Sequence, residues 1–225
     1  MTLVMLGWFA AIVGCGILCG DLLRLVERPD GSTSFDSGIT SWMVAHRTEA
    51  LTRLARFLSA VGSQTILLPV AGVAALVLAG RRHLALAGLV VAAWGGAIGL
   101  YTVIKHFVHR PRPPAHIWLT KVTSTSFPSG HATQSLATFA ALAFVLAVLA
   151  PRAGSIAKVL ALILAGAIGW SRVYLGVHWT TDVIAGWLIG AAWITIVFWV
   201  PSTTRAAERP RRDEPRQPNE RGAPT

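Results

Sequence analysis

The residues that could do chemistry lie in three polar clusters that interrupt an otherwise apolar chain. The first cluster is Lys105–Pro113, the second is Pro128–His131 and the third is Ser171–Asp182. Each cluster contains side chains that bind anions or transfer protons. Together they predict one site, provided that the fold brings the clusters to the same place. The candidate residues are Lys105, Arg112, Ser129, Gly130, His131, Arg172, His178 and Asp182.

The cations and the serine–glycine pair indicate that the bound anion is a phosphate. Lys105, Arg112 and Arg172 supply three positive charges, and the two planar guanidinium groups match the geometry of phosphate oxygens. Ser129 and Gly130 stand where a helix begins, so unpaired backbone N–H groups and the positive end of the helix dipole are available there. Glycine also lets an anion approach the backbone closely.

The histidines and the aspartate predict nucleophilic and proton-transfer chemistry. His178 and Asp182 are four residues apart, so they share one face if this segment is helical. A carboxylate that accepts the Nδ1–H proton leaves Nε2 unprotonated, which makes the ring a nucleophile or a base. His131 is then available as the acid that protonates a leaving oxygen.

Each cluster also has an ordinary structural interpretation. Lys105, Arg110 and Arg112 could be cations at the end of a membrane helix, and Pro128–Gly130 could be a turn with a helix cap. The histidine and aspartate of the third cluster could be a hydrogen-bonded pair at the membrane interface. Because all three interpretations would have to coincide on one membrane face, we favour a single phosphate-transfer site.

No metal or cofactor is expected. His106 and His109 lie in the first cluster, but no carboxylate or thiolate ligands accompany them. We therefore interpret both histidines as solvated loop residues. Asp21 and Asp36 are interpreted as boundary and loop residues.

The composition indicates that the clusters are positioned by membrane helices. Hydrophobic residues make up 53% of the 225 residues and charged residues only 13%, whereas about a quarter of a soluble domain is charged. The sequence contains six apolar stretches of roughly the length that a helix needs to cross a bilayer. The predicted fold class is therefore all-α, a bundle of six transmembrane helices. The expected spans are Leu3–Gly20, Val61–Gly80, Leu84–Ile104, Ala132–Ala150, Ile156–Trp170 and Val183–Val200.

The order of the spans places the three clusters at one membrane face, because successive connections alternate between the two sides. The connections on the side of the site are Asp21–Ala60, Lys105–His131 and Ser171–Asp182. Two short links, Arg81–His83 and Pro151–Gly154, lie on the other side. The active site is therefore expected at one membrane face.

The spans have two further features. The fifth span, Ile156–Trp170, is short, and we expect it to extend into its polar flanks. Two glycine pairs lie four residues apart, Gly95 with Gly99 and Gly186 with Gly190. Small residues at this spacing let membrane helices approach closely.

The orientation is predicted from the polar tail. The net charge is +10, but lysines and arginines divide equally between the two faces, so charge counting alone does not decide. Six arginines follow the last span and can bind anionic lipid headgroups. We expect residues 1–200 to form the membrane domain and residues 201–225 a disordered basic tail, with both termini cytoplasmic. Nucleic acid is not an expected partner, because no soluble basic module or stacking-aromatic platform accompanies the charge.

The three clusters resemble the signature motifs of the type 2 phosphatidate phosphatase superfamily, which also includes glucose-6-phosphatases and soluble vanadium haloperoxidases. All three motifs match in order, and any one of them alone would be weak. The six-span layout extends the resemblance over nearly all of the chain before the tail. The matching residues are Lys105, Arg112 and Pro113, then Pro128, Ser129, Gly130 and His131, then Ser171, Arg172, His178 and Asp182.

The resemblance implies a role for each matched residue. His178 would attack phosphorus and form a phosphohistidine, Asp182 would orient it, and His131 would protonate the leaving oxygen and later activate water. Such enzymes are similar in needing no metal. The residues that hold the phosphate would be Lys105, Arg112, Ser129, Gly130 and Arg172.

The predicted function is hydrolysis of a phosphomonoester or diphosphate of a lipid by an integral protein of a bacterial plasma membrane. The resemblance places the site away from the cytoplasm. A polyprenyl diphosphate, phosphatidylglycerophosphate and phosphatidate stay open as substrates, and so does the oligomeric state. Two other classes also stay open. A vanadate-dependent haloperoxidase is disfavoured by the membrane spans. A non-enzymatic lipid or anion transporter is disfavoured because Lys105, His131, His178 and Asp182 are all present.

Overall fold

The computed structural model describes residues 32–207 continuously, together with isolated positions between 7 and 24, and it describes side chains as far as Trp199. Throughout residues 32–207 the secondary structure is helical, with no strand. The all-α prediction is therefore confirmed. The helices are α1 (Ser34–Ala45), α2 (Glu49–Val61), α3 (Gln64–Gly80), α4 (Leu84–Phe107), α5 (Gly130–Leu149), α6 (Pro151–Tyr174) and α7 (Thr180–Ala207).

Four of these helices, α4, α5, α6 and α7, are long and apolar enough to cross a membrane. Helices α2 and α3 meet at a bend of 46° and make a fifth candidate span when they are counted together. Leu76, Phe107 and Ile163 are more than half exposed, as expected for apolar side chains that face lipid and not water. The expected first span, Leu3–Gly20, lies mostly outside the described residues.

The segment Asp21–Ala60, which we expected to be a connection, contains the helices α1 and α2. Each begins at a threonine whose hydroxyl accepts a backbone N–H: Thr33 from Asp36 and Thr48 from Leu51. Such hydroxyls satisfy donors that a helix start leaves unpaired. Since α1 packs against α6 and α7, and α2 packs against α6, this segment covers the end of the bundle.

Helix α5 is the centre of the bundle. It packs against α3, α4, α6 and α7. Half of the residues in its apolar stretch of 18 residues are buried, compared with 22% in the corresponding stretch of α6. The residues that it buries completely are small, among them Ala132, Ala137 and Ala141. Small side chains allow the neighbouring helices to approach its backbone closely.

The glycine pair on α7 makes the close contact that its spacing predicts. A Cβ atom at Gly186 would lie 2.7 Å from the carbonyl oxygen of Ser129, and one at Gly190 would lie 2.8 Å from that of Thr133. Helix α7 therefore rests directly on the backbone of α5. This contact ties the start of α7 to the start of α5, where two of the polar clusters lie.

The glycine pair on α4 does not make the predicted contact. A Cβ atom at Gly95 or Gly99 would meet no described atom within 4 Å. The close approach occurs one residue away, because the indole of Trp193 on α7 lies against Gly96, where an added Cβ would overlap the ring at 2.0 Å. The spacing was therefore a correct signal on α7 and a wrong one on α4.

The fifth expected span is longer than its apolar core, as predicted. Helix α6 runs for 24 residues from Pro151 to Tyr174. Its first turn contains Pro151–Gly154, which we had expected to be a link. Proline suits the first position of a helix because its φ angle is already helical and its missing N–H needs no partner there. The link between α5 and α6 is consequently only Ala150.

Candidate active site

The three polar clusters meet in one cavity at the end of the bundle where α4 and α6 end and α5 and α7 begin. The cavity has a volume of about 270 Å³. Ser129 and Asp182 are fully buried directly beside it, so the structure brings all eight predicted site residues together. The predicted residues that line the cavity are Lys105, Arg112, Gly130, His131, Arg172 and His178.

His178 and Asp182 form a pair at the start of α7. The Nδ1 atom of His178 lies 3.4 Å from Oδ2 of Asp182. The same oxygen accepts hydrogen bonds from the Ser126 hydroxyl at 2.5 Å and from the backbone N–H of Trp179 at 2.9 Å. The pair does not share a helical face as expected, because α7 begins at Thr180, after His178. The turn that precedes the helix brings the two side chains together instead.

The surroundings of His178 determine which ring nitrogen carries the proton. Its Nε2 atom lies 3.2 Å from Nη1 of Arg112. A guanidinium group can only donate, so Nε2 accepts, and the proton of the neutral ring is on Nδ1, facing Asp182. Burial, together with the positive charges of Arg112, Arg172 and Lys105, holds the pKa of His178 well below its ordinary value. The ring is therefore neutral at physiological pH, and its Nε2 lone pair accepts from Arg112, which lies beside it on the wall of the cavity.

Two of the cations are anchored by the backbone of the loop between α4 and α5. Arg112 donates from Nε to the carbonyl of Ser124 at 2.7 Å and from Nη2 to that of Thr125 at 3.2 Å. Lys105 donates to the carbonyls of Thr125 at 2.5 Å and Ser126 at 3.3 Å. Burial lowers the pKa of Arg112 to about 10, which leaves it positively charged at neutral pH. The loop thus fixes two positive charges at the cavity wall.

The third cation and the serine have buried donors without a protein partner. Arg172 donates from Nη1 to the hydroxyl of Ser59 on α2, but its Nε atom has no partner among the described residues. The same holds within residues 32–207 for the hydroxyl of Ser129. Leaving a buried polar group unsatisfied costs about 1–3 kcal/mol. Two such donors beside one cavity indicate a site that is completed by a ligand with acceptor oxygens.

Gly130 is the first residue of α5, and a larger side chain there would be crowded. A Cβ atom at this position would lie 3.0 Å from the ring of Tyr101. The first N–H groups of a helix have no acceptor within the helix, and they carry the positive end of its dipole. The start of α5 therefore adds backbone donors to the three cations.

A glycine at the end of α6 turns the chain so that His178 reaches the cavity. Gly176 has a φ angle of +73°, a conformation that only glycine adopts without cost. Its N–H bonds to the carbonyl of Val173 at 2.9 Å, and the N–H of Val177 bonds to that of Arg172 at 3.2 Å. This pair of bonds is the Schellman motif that ends many helices. It places Arg172 and His178 on either side of one tight turn.

Two charged residues that the sequence interpretation treated as peripheral belong to the buried part of the site. Asp36, expected in a loop, is fully buried on α1. Arg110, for which a cation at a helix end was the alternative considered, is 3% exposed. Nη2 of Arg110 lies 2.8 Å from Asp36, and Nη1 lies 2.5 Å from Oδ1 of Asp182. Both interpretations were wrong because α1 packs against the start of α7. A threonine three residues before an acidic residue, as at Thr33 and Asp36, is typical of a helix start. This pattern does not indicate that Asp36 pairs with Arg110.

The two histidines of the first cluster are peripheral. His106 and His109 are exposed, and neither lines the cavity. Within the part of the chain that the structure describes, no three His, Cys, Asp or Glu side chains are placed to hold a metal ion.

This arrangement defines a class of protein, a helical membrane protein with a cavity that is lined by three cations and lies beside a histidine–aspartate pair. A sequence model described as the PAP2 superfamily matches residues 84–206. That range is more than half of the chain and contains every predicted site residue. The chain therefore belongs to the PAP2 superfamily, which confirms the family recognised from the three motifs.

Two curated relatives are similar over parts of their lengths. The undecaprenyl-diphosphatase of Sulfolobus acidocaldarius is 35% identical over 146 residues, which are 63% of this chain and 66% of the relative. The phosphatidylglycerophosphatase B of Bacillus subtilis is 36% identical over 94 residues, which are 40% of this chain and 46% of the relative. The matches thus span about two thirds and just under half of these relatives.

Two solved structures are similar to the fold. The PAP2-type phosphatidylglycerolphosphate phosphatase from Bacillus subtilis has a TM-score of 0.80 at 25% identity, covering 86% of this chain and 97% of that structure. The LpxE of Aquifex aeolicus has a TM-score of 0.61 at 23% identity, covering 75% and 97%. The second similarity establishes the fold alone. The first is described as a transmembrane protein, which agrees with an integral membrane protein here.

Removing the Ser129 hydroxyl should weaken the binding of a phosphate analogue. We expect Ser129→Ala to raise the constant for inhibition of phosphate release by orthovanadate, a phosphate analogue, roughly 10- to 100-fold. A hydrogen bond to a charged group contributes about 1.5–3 kcal/mol to binding. Ser135→Ala is the matched control, since that buried hydroxyl lies on the same helix and bonds to the carbonyl of Ala132. Equal inhibition constants for the two variants would show that Ser129 does not contact the anion.

Proposed function

We propose that this chain is an integral membrane phosphatase that hydrolyses a phosphomonoester or diphosphate of a lipid through a phosphohistidine intermediate. One observation carries the proposal. The ring of His178, unprotonated at Nε2, lines one cavity together with Lys105, Arg112 and Arg172. A neutral imidazole surrounded by three cations is poorly placed to bind a cation or an apolar ligand. It is well placed to attack an anionic phosphoryl group.

In the first half of the proposed reaction, the phosphoryl group moves from the lipid to the enzyme. The Nε2 lone pair of His178 forms a bond to phosphorus while the bond from phosphorus to the lipid oxygen breaks. His131, which lines the same cavity, begins as an imidazolium paired with the negative charge of the bound phosphate, and it gives its proton to that oxygen. The ring of His178 becomes positively charged, and Asp182 stabilises this charge through Nδ1–H.

In the second half, water releases the phosphate. His131, now unprotonated, removes a proton from a water molecule whose oxygen attacks phosphorus. The bond between phosphorus and Nε2 breaks, inorganic phosphate leaves, and both histidines return to their starting protonation states. The phosphate oxygens are held throughout by Lys105, Arg112, Arg172, the Ser129 hydroxyl and the backbone N–H of Gly130. Phosphoryl transfer depends mainly on this positioning and on the stabilisation of charge on these oxygens.

The substrate is proposed to be a lipid because the cavity lies at the end of a bundle of membrane helices and both curated relatives are named for lipid phosphates. A volume of about 270 Å³ is at the lower end for small-ligand sites. Hydrocarbon chains would therefore stay in the bilayer, beside the apolar surface of the helices. The names of the two curated relatives favour an isoprenoid diphosphate or phosphatidylglycerophosphate, and phosphatidate has the same terminal group.

We further propose six spans, with the segment Leu3–Gly20 as the first and both termini in the cytoplasm of a bacterial cell. The site then faces outward, and residues 201–225 form a basic tail that contacts anionic lipid. Support comes from the tight turn at Arg82, which lies at the opposite end of α3 from Gln64, a residue that lines the cavity. Alternation across the membrane separates this turn from the site.

Cysteine labelling tests this orientation. In a variant whose Cys15 and Cys19 are replaced by alanine, we expect a membrane-impermeant thiol reagent to label Ala115→Cys in intact cells. Arg82→Cys should be labelled only after lysis, because its turn is cytoplasmic. The reverse pattern would contradict the proposed orientation without affecting the proposed chemistry.

Phosphate release tests the proposed function. Purified protein in detergent should release inorganic phosphate from at least one member of a panel of a polyprenyl diphosphate, phosphatidylglycerophosphate and phosphatidate. His178→Ala should abolish release, and Asp182→Asn should lower kcat by about 10⁴, as loss of the orienting carboxylate does in a serine protease. His106→Ala is the control, since that histidine is exposed outside the cavity. Activity of His178→Ala within tenfold of the parent would refute the assignment of the nucleophile.

Phosphate release would also exclude a purely transporting role. A protein that binds lipid phosphate and moves it unchanged gives no inorganic phosphate in detergent. Halide oxidation that depends on added vanadate, without phosphate release, would instead favour the haloperoxidase class.

A further inference from the structure

A buried row of three charges lies behind the proposed nucleophile. The side chains of Asp36, Arg110 and Asp182 have no exposed surface. Arg110 lies between the two carboxylates, with Nη2 at 2.8 Å from Asp36 and Nη1 at 2.5 Å from Asp182. Ion pairs without any exposed surface are expensive to form, because both charges lose their hydration. We therefore expect these three charged residues to have a functional role in addition to any role in stabilising the fold.

Asp36 is held firmly but does not reach the cavity. Its Oδ1 atom accepts the backbone N–H of Thr181 at 2.9 Å, and its Oδ2 atom accepts the hydroxyls of Thr181 at 2.8 Å and Thr33 at 3.1 Å. It does not line the cavity that contains His178. Any influence on the proposed chemistry must therefore pass through Arg110 and Thr181 to Asp182.

The charges around His178 indicate what that influence is. On its Nε2 side the ring faces Arg112, with Lys105 and Arg172 in the same cavity. On its Nδ1 side it faces Asp182. If Asp36 were neutral, the positive charge of Arg110 would cancel the negative charge of Asp182. The ring of His178 would then face only the uncompensated positive charges of the cavity. Charges this close interact strongly where water is excluded.

The second carboxylate restores the balance. With Asp36 present, the row of two carboxylates and one guanidinium has a net charge of −1. The negative charge is then available on the side of the ring that becomes positive when Nε2 bonds to phosphorus. Stabilisation of a charge that develops during the reaction by fixed groups of opposite charge accelerates the reaction.

We propose that Asp36 is a positioning residue of the active site, which offsets the charge of Arg110 and thereby keeps the carboxylate of Asp182 available to His178. This proposal rests on the proposed phosphatase function. It adds to the active site a residue of helix α1, which lies outside all three sequence motifs. Thr181 completes the connection, since its hydroxyl accepts from Arg110 at 2.8 Å and donates to Asp36. Helix α1 is thus part of the catalytic apparatus and not only a cover.

The charge balance makes a prediction that a purely structural contact does not make. Asp36→Asn keeps the shape of the side chain but changes the net charge of the row to zero, so we expect kcat to fall on the order of tenfold or more. KM should stay within about threefold, because Asp36 does not touch the residues that hold the phosphate. The double variant Asp36→Asn/Arg110→Gln restores a net charge of −1 and should be more active than Asp36→Asn alone. A structural contact predicts the opposite order, since the double variant loses more interactions.

The measurements are kcat and KM for phosphate release, with thermal denaturation of each variant in the same detergent. Ser37→Ala is the matched control, because this exposed neighbour of Asp36 bonds only to backbone carbonyls of Thr33 and Ser34. It should leave kcat unchanged. An unchanged kcat in Asp36→Asn, or a double variant that folds and is less active than Asp36→Asn, would overturn the proposal.

A double-mutant cycle decides the question if the Arg110 variant does not fold. If Asp36 acts mainly by keeping Asp182 available, then Asp36→Asn should lower kcat by a smaller factor in an Asp182→Asn background than in the parent. Losses that multiply would show that Asp36 acts independently of Asp182 and would refute the proposal. If the unmodified protein released no phosphate from any lipid of the panel, the proposed function itself would fail. An active parent with an unaffected Asp36→Asn variant refutes this inference alone.

Discussion

The site depends on the contact between Asp182 and the Nδ1–H of His178. Three cations line the cavity beside the ring, and such surroundings disfavour the positive charge that the imidazole would carry after the proposed attack on phosphorus. Asp182 is the negative group in direct contact with the ring, and its own position is fixed by Ser126, Trp179 and Arg110. The requirement for a buried, oriented carboxylate therefore explains why so many hydrogen bonds of the protein converge at the start of α7.

The scaffold satisfies this requirement by bringing helix ends together. Helix α5 has small buried residues, so α7 can rest on its backbone at Gly186 and Gly190, and the starts of both helices lie side by side. The backbone N–H of Ser129 bonds to the carbonyl of Asp182 at 3.0 Å, which joins the second and third clusters directly. A turn at Gly176 then directs His178 toward the helix start at Gly130. The contacts that pack these helices together therefore also determine the geometry of the active site.

The sequence predicted the members of the cavity but not what supports them. Residue types at fixed spacings were enough to identify Lys105, Arg112, Arg172 and the two histidines, since phosphate binding requires those types wherever the fold places them. The burial of Asp36 could not be predicted, because its partner Arg110 lies far away along the chain and the contact exists only once α1 packs on α7. For the same reason the close approach on α4 was predicted at Gly95 and not at Gly96, because it depends on the position of the Trp193 indole.

The central claim is that three distant segments grip one phosphoryl group while the imidazole of His178 attacks it. An experimental structure of the protein with orthovanadate bound tests this most directly, because vanadate takes the trigonal bipyramidal geometry of the transferred group. We predict a bond from vanadium to Nε2 of His178, with Lys105, Arg112 and Arg172 contacting the equatorial oxygens. Vanadium bonded to another atom, or an anion bound outside this cavity, would contradict the account.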